Sequence, residues 1–172
     1  MARRITTRAL IGRAEQLASL RVATETARAG SASLVLVAGD AGIGKSRLVE
    51  EAVTQARADG LLAVVGGCVQ LGEVSVAFAP LAEALRDLRA QLDGSELSGM
   101  LPEPASLLGD AGAARGSGPL FERVLGFLAE LAGVQPLLLV FEDLHWADAS
   151  TRDLVAFLGR NLRASPITLV LT

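Results

Sequence analysis

Gly39-Asp40-Ala41-Gly42-Ile43-Gly44-Lys45-Ser46 matches the phosphate-loop pattern G-x-x-x-x-G-K-[ST] at every fixed position. Upstream, Ser33-Leu34-Val35-Leu36-Val37-Ala38 is short, apolar and β-branched enough for a buried parallel strand. Downstream, Leu48, Val49, Ala52, Val53 and Ala56 recur at helical spacing, with Glu50, Glu51, Gln55 and Arg57 on the opposite side. The loop is therefore expected between a strand and a helix, the setting in which the pattern has physical meaning. Glycines let the backbone turn tightly and aim several N–H groups at one anion, and the positive helix end adds to the field. Lys45 supplies a mobile charge for the β- and γ-phosphates, and the Ser46 hydroxyl can ligate Mg²⁺. Arg47, next along the helix, is counted with the loop. A glycine-rich strand-to-helix turn with a chance lysine is the plainer alternative.

The rest of the composition narrows the possibilities. With 172 residues the chain has the length of one domain. A net charge of −3 and a pI near 5.2 give no basic nucleic-acid surface. Apolar residues make up 51%, yet no run is long enough to span a bilayer. Basic Met1-Ala2-Arg3-Arg4 is not followed by an apolar stretch of signal-peptide length. The reading is of a soluble cytoplasmic protein that contacts neither membrane nor nucleic acid through this segment. One cysteine, Cys68, and one histidine, His145, leave no intrachain disulfide and no zinc cluster. Cys68 ends the apolar run Leu61–Val65, a second expected strand, and is read as a core side chain.

A second chemical stretch is Pro136-Leu137-Leu138-Leu139-Val140-Phe141-Glu142-Asp143, an apolar strand ending in two carboxylates. Opposite a phosphate loop, one carboxylate can hold Mg²⁺ and a second can polarise the attacking water. Adjacent strand residues face opposite sides, so Glu142 and Asp143 divide the work unless the strand has ended there. Between the two motifs, Leu81, Leu85, Leu88 and Leu92 form a helical stripe starting at Pro80. Residues 93–118 turn to Gly, Ser, Pro and Ala and are read as a flexible surface excursion. A further stripe runs through Leu120, Phe121, Val124, Leu125, Leu128 and Leu131. Asp148 or Ser150 is expected to cap a helix with the stripe Leu154, Val155, Leu158 and Leu162, Ser150 and Asp153 fitting a capping box. His145 and Trp146 have ordinary packing as their plainer reading, and by position they can report the γ-phosphate to that helix.

Glu142-Asp143-Leu144-His145-Trp146-Ala147-Asp148, together with the phosphate loop, resembles the ATPase domain of the signal-transduction ATPases with numerous domains, in the version found in large LuxR-family transcriptional regulators and related AAA-like proteins. The likeness extends to Leu10–Leu17, to Gly66-Gly67-Cys68 with Phe78–Leu85, and to Pro166–Thr172, nearly the whole chain. It implies a three-layer α/β P-loop NTPase ending before the sensor and lid regions, with a parallel sheet for which the apolar runs give about four strands. It implies ATP and Mg²⁺, with Glu142 at the metal-associated position and Asp143 at the water-activating one. Gly12 and Arg13 belong to a Gly-Arg lead-in that in similar proteins lies near the adenine. The polar residue and arginine that sense the γ-phosphate beyond the last strand, Ile167–Leu171, are expected to be missing, as are a further strand, a lid and a C-terminal DNA-reading helix-turn-helix. The chain then resembles the N-terminal fragment of a larger regulator, binding nucleotide with little turnover. If the sheet order is the family's, Leu34–Val37 is left as an open apolar edge that invites self-association. Two other readings stay open: a small-molecule kinase with its second substrate near residues 93–118, against which weighs the lack of an arginine-rich lid there apart from Arg115, and a non-catalytic interaction fragment.

Overall fold

The computed structural model describes residues 12–71, 74–103, 107 and 118–172. Leu10 and Ile11 of the lead-in, Arg115, and residues 104–106 and 108–117 of the excursion lie outside the described residues. The elements in chain order are α1 (Ala14–Arg28), β1 (Ser33–Leu36), α2 (Lys45–Ala58), β2 (Leu62–Gly67), a hairpin of β3 (Gln70–Leu71) and β4 (Val74–Ser75), α3 (Ala79–Leu92), α4 (Gly118–Val134), β5 (Leu137–Glu142), α5 (Ala149–Asn161) and β6 (Ile167–Leu171).

The main sheet has four strands in the order β1-β6-β5-β2, all parallel. Its central strands are apolar on both faces, because helices cover both. On one side Leu20 of α1 and Leu48, Val49, Val53 and Ala56 of α2 pack on Ala63, Leu138, Val140 and Val170. On the other side α3, α4 and α5 pack on Leu62, Val64, Leu137, Leu139, Phe141, Ile167 and Leu169. This is the expected three-layer α/β architecture. Thr168 is fully buried on β6, and its hydroxyl donates to the Ala23 carbonyl of α1 at 2.9 Å. That bond satisfies the one polar group the strand buries there.

Two close approaches fix how the layers meet. A Cβ on Gly66 would lie 1.8 Å from the Pro80 carbonyl oxygen, so β2 touches the start of α3 backbone to backbone. Phe78, just before α3, has φ 57° and ψ 17°, left-handed for a residue with a Cβ. Its N–H donates at 2.8 Å to the hydroxyl of Thr151, a buried residue of α5.

Candidate functional site

The phosphate loop lies where the sequence places it, between β1 and α2. β1 ends at Leu36, two residues sooner than its apolar run suggests, although the Val37 N–H still donates to Leu171 at 2.8 Å. Gly42 and Gly44 have φ 79° and 94°, conformations that a side chain would strain. The Ile43 N–H reaches back to the Asp40 carbonyl at 3.4 Å. Lys45 curls over the loop, its Nζ donating to Gly39 at 2.9 Å and Asp40 at 3.1 Å.

The opposite wall starts where β5 ends. Asp143 leaves the strand at φ 58° and ψ 42°, and its N–H donates to the Thr172 hydroxyl at 3.1 Å. The Leu144 N–H donates to the Thr172 carbonyl at 2.9 Å, and a 3₁₀ turn covers Leu144–Trp146. Thus the strand has ended at Asp143, the condition under which adjacent carboxylates escape strict alternation. His145 Nδ1 lies 4.0 Å from Asp143 Oδ1, and the His145 and Trp146 rings are 4.9 Å apart.

The two walls enclose a cavity of about 790 Å³, within the range of small-molecule sites. The loop supplies Gly39, Ala41, Gly42, Gly44, Lys45, Ser46 and Arg47, and the facing wall Asp143, His145, Trp146 and Thr172. Asp40 and Ile43 belong to the loop but not to this lining. Glu142 takes a different position. On β5 it shares the face of Leu138 and Val140, which pack against α2, and its Oε1 is buried with no hydrogen-bond partner among the described residues. Gly12 and Arg13 also stand apart from the cavity lining, and Arg13 Nη2 donates to the Ile43 carbonyl at 3.0 Å.

Cys68 and Asp148 sit behind the acidic wall. Burial, then the charges of Asp143 and Asp148, push the Cys68 thiol up to about 11, which keeps it protonated and unreactive. Burial alone would raise Asp148, but hydrogen bonds from the side chain and N–H of Thr151 and from Ser150 hold it below the usual carboxylate range. Asp148 is the N-cap of α5, its carboxylate accepting from the Ser150 N–H at 3.0 Å and the Thr151 N–H at 3.1 Å. Ser150 therefore lies inside the helix, and the capping box with Asp153 is not formed, because Asp148 already takes the free N–H groups of the first turn.

Thr172 is the residue the sequence reading passed over. A polar residue does follow the last strand, and it both lines the cavity and pins the Asp143 turn. Its only signal was that β6, like β5, is an apolar run ending in a polar side chain.

The AAA ATPase domain family matches residues 9–171. The chain belongs to that family. This AAA ATPase domain is also 30% identical, over 196 aligned positions, to an uncharacterised protein of Rhizobium meliloti (strain 1021). The alignment covers 95% of this chain and 18% of that protein, so the chain spans less than a fifth of its relative's length. Family membership accords with nucleotide binding at the phosphate loop. No described helix is long and apolar enough to cross a membrane.

Proposed function

We propose that this domain binds ATP with Mg²⁺ and hydrolyses it slowly, serving as the switch module of a signal-responsive transcriptional regulator. The convergence of the phosphate loop and Asp143 on one cavity carries the reading. In it, loop amides and Lys45 hold the β- and γ-phosphates, Lys45 exchanging its bonds to Gly39 and Asp40 for phosphoryl oxygens. The Ser46 hydroxyl and the Glu142 carboxylate would hold Mg²⁺. The buried, unpartnered Oε1 of Glu142 supports this, since a buried carboxylate oxygen needs a cation or donor. The metal would neutralise charge developing on the phosphates. Asp143 would accept the proton of the water that attacks the γ-phosphorus, with ADP leaving. The regulatory setting rests on the resemblance carried by Glu142–Asp148, and DNA reading would belong to a separate segment. The exposed β1 edge supports self-association as a further property.

Calorimetry with ATP, ADP and GTP, with and without Mg²⁺, tests this beside Lys45→Ala. The expected result is Mg²⁺-dependent adenine-nucleotide binding that weakens about 100-fold or more in the variant, with turnover below about 10⁻² s⁻¹, the range of a slow nucleotide switch. A folded chain that binds no nucleotide would overturn the reading, and rapid turnover by the monomer would overturn its slow-switch half.

A further inference from the structure

Two cationic side chains hold the phosphate loop by its carbonyl oxygens, at opposite ends. Lys45 takes Gly39 and Asp40. Arg13, the residue before α1, takes Ile43 at 3.0 Å, from 30 positions earlier in the chain.

Peptide geometry makes the Arg13 bond informative. In a trans peptide the C=O and the following N–H point in opposite directions, so a donor seated on the Ile43 oxygen directs the Gly44 N–H away from itself. Gly44 lines the cavity, whereas Ile43 does not and has 47% of its surface exposed. The guanidinium is thus bonded to a residue outside the lining, and the N–H whose direction it sets belongs to a residue within it. Drawing electron density from the carbonyl also strengthens that N–H as a donor.

The loop needs such a constraint at this peptide. Gly44 at φ 94° has no Cβ to restrict its rotation, and a cradle of amides serves an anion only while they stay aimed at it. Lys45 cannot supply the constraint during binding, because turning to a phosphate takes it off Gly39 and Asp40. Arg13 makes its bond outside the lining and can keep it throughout.

We propose that Arg13 is a positioning residue for phosphate binding: it holds the Ile43–Gly44 peptide so that the Gly44 N–H faces the bound phosphate, and it does not read the base. The inference rests on the nucleotide-binding reading above. It differs from what the resemblance implies for the Gly-Arg lead-in, a place near the adenine.

A ligand with phosphates and no base separates the two. Mg²⁺-ATP and Mg²⁺-tripolyphosphate would be titrated into the 172-residue chain, followed by calorimetry and by emission of Trp146, the single tryptophan, which lines the cavity. For Arg13→Ala, both ligands should weaken by the same factor, about tenfold, the size of one charge-assisted hydrogen bond. The loss should persist in about 0.5 M salt, where the long-range field of the guanidinium is screened. Arg13→Lys, which retains a donor and the charge, should recover part of the affinity. Should the alanine variant fail to fold, Arg13→Gln, which keeps an amide donor without charge, replaces it, with an expected loss between those of Lys and Ala. Weakening of ATP alone would assign Arg13 to the base and overturn the proposal, as would a loss that disappears in salt or no loss at all. Wild-type chain that is folded yet binds neither ligand would instead bring down the nucleotide-binding reading itself.

Discussion

The two edges of the central sheet are finished in different ways. On β2, residues 62, 64, 66 and 68 face β5, as the bonds from Leu62 N–H to Pro136 and from Cys68 N–H to Glu142 show, so 63, 65 and 67 face outward. Side chains then close that edge. The Ala63 carbonyl accepts from Arg57 Nε at 3.0 Å, Arg57 Nη2 at 2.6 Å and Gln91 Nε2 at 3.0 Å. The Gly67 N–H donates to Glu83 Oε2 at 2.7 Å. On β1 the Val37–Leu171 bond sets the same alternation, leaving the amides of Leu34 and Leu36 outward, and these two residues are 54% and 70% exposed. An edge is therefore not a hazard by position alone: α2 and α3 bring donors and acceptors to β2, whereas among the described residues no side chain does so for the outward amides of β1.

The largest expected effect is on the closed side. Gly66→Ala places a methyl group on the Pro80 carbonyl, backbone against backbone, with no flexible side chain to yield. A loss of about 3 kcal/mol in urea unfolding is expected; a loss under about 1 kcal/mol would mean that α3 can ride up on β2.

Next comes the seal itself. Arg57→Ala removes two donors from Ala63, leaving Gln91, and breaks the ion pair with Asp87 at 3.2 Å, whose partners are partly exposed and contribute little. Unfolding should show a loss of about 1–2 kcal/mol, mostly from the carbonyl. If the two edges differ as described, the variant also gains concentration-dependent association, read by sedimentation. Unchanged sedimentation would show that Gln91 suffices to seal the edge.

The smallest change in stability is expected on the open side. Leu36→Lys puts a charge on an exposed edge position and should alter unfolding by no more than about 0.5 kcal/mol. It should abolish any self-association of the wild-type chain. A dimer that survives Leu36→Lys would have to form elsewhere.

This contrast also explains what could be read in advance. The phosphate loop and the acidic strand end were legible because each packs its chemistry into adjacent residues at fixed spacing. The helices over 45–58 and 79–92 were legible because one face of each is apolar and buried. The open β1 edge followed once a sheet order was supposed. The β2 seal was not legible, since Arg57, Glu83 and Gln91 look like any charged or polar residue on a helix until β2 is known to be an edge. Thr172 was missed for a related reason: one threonine after an apolar run has no pattern, and its role depends on Asp143, 29 residues earlier. Two-residue strands such as β3 and β4 are too short to carry any period.

The bond between Thr168 and Ala23 joins groups 145 residues apart, and β6 is also the strand that β1 pairs with. During synthesis the phosphate-loop strand therefore leaves the ribosome well before its neighbour exists. At about 5–20 residues per second the wait is on the order of ten seconds, long compared with helix formation or collapse. Throughout that interval β1 lacks the β6 partner it has in the folded sheet, so a nascent chain of this domain offers chaperones an apolar strand that pairing with β6 later covers on that side.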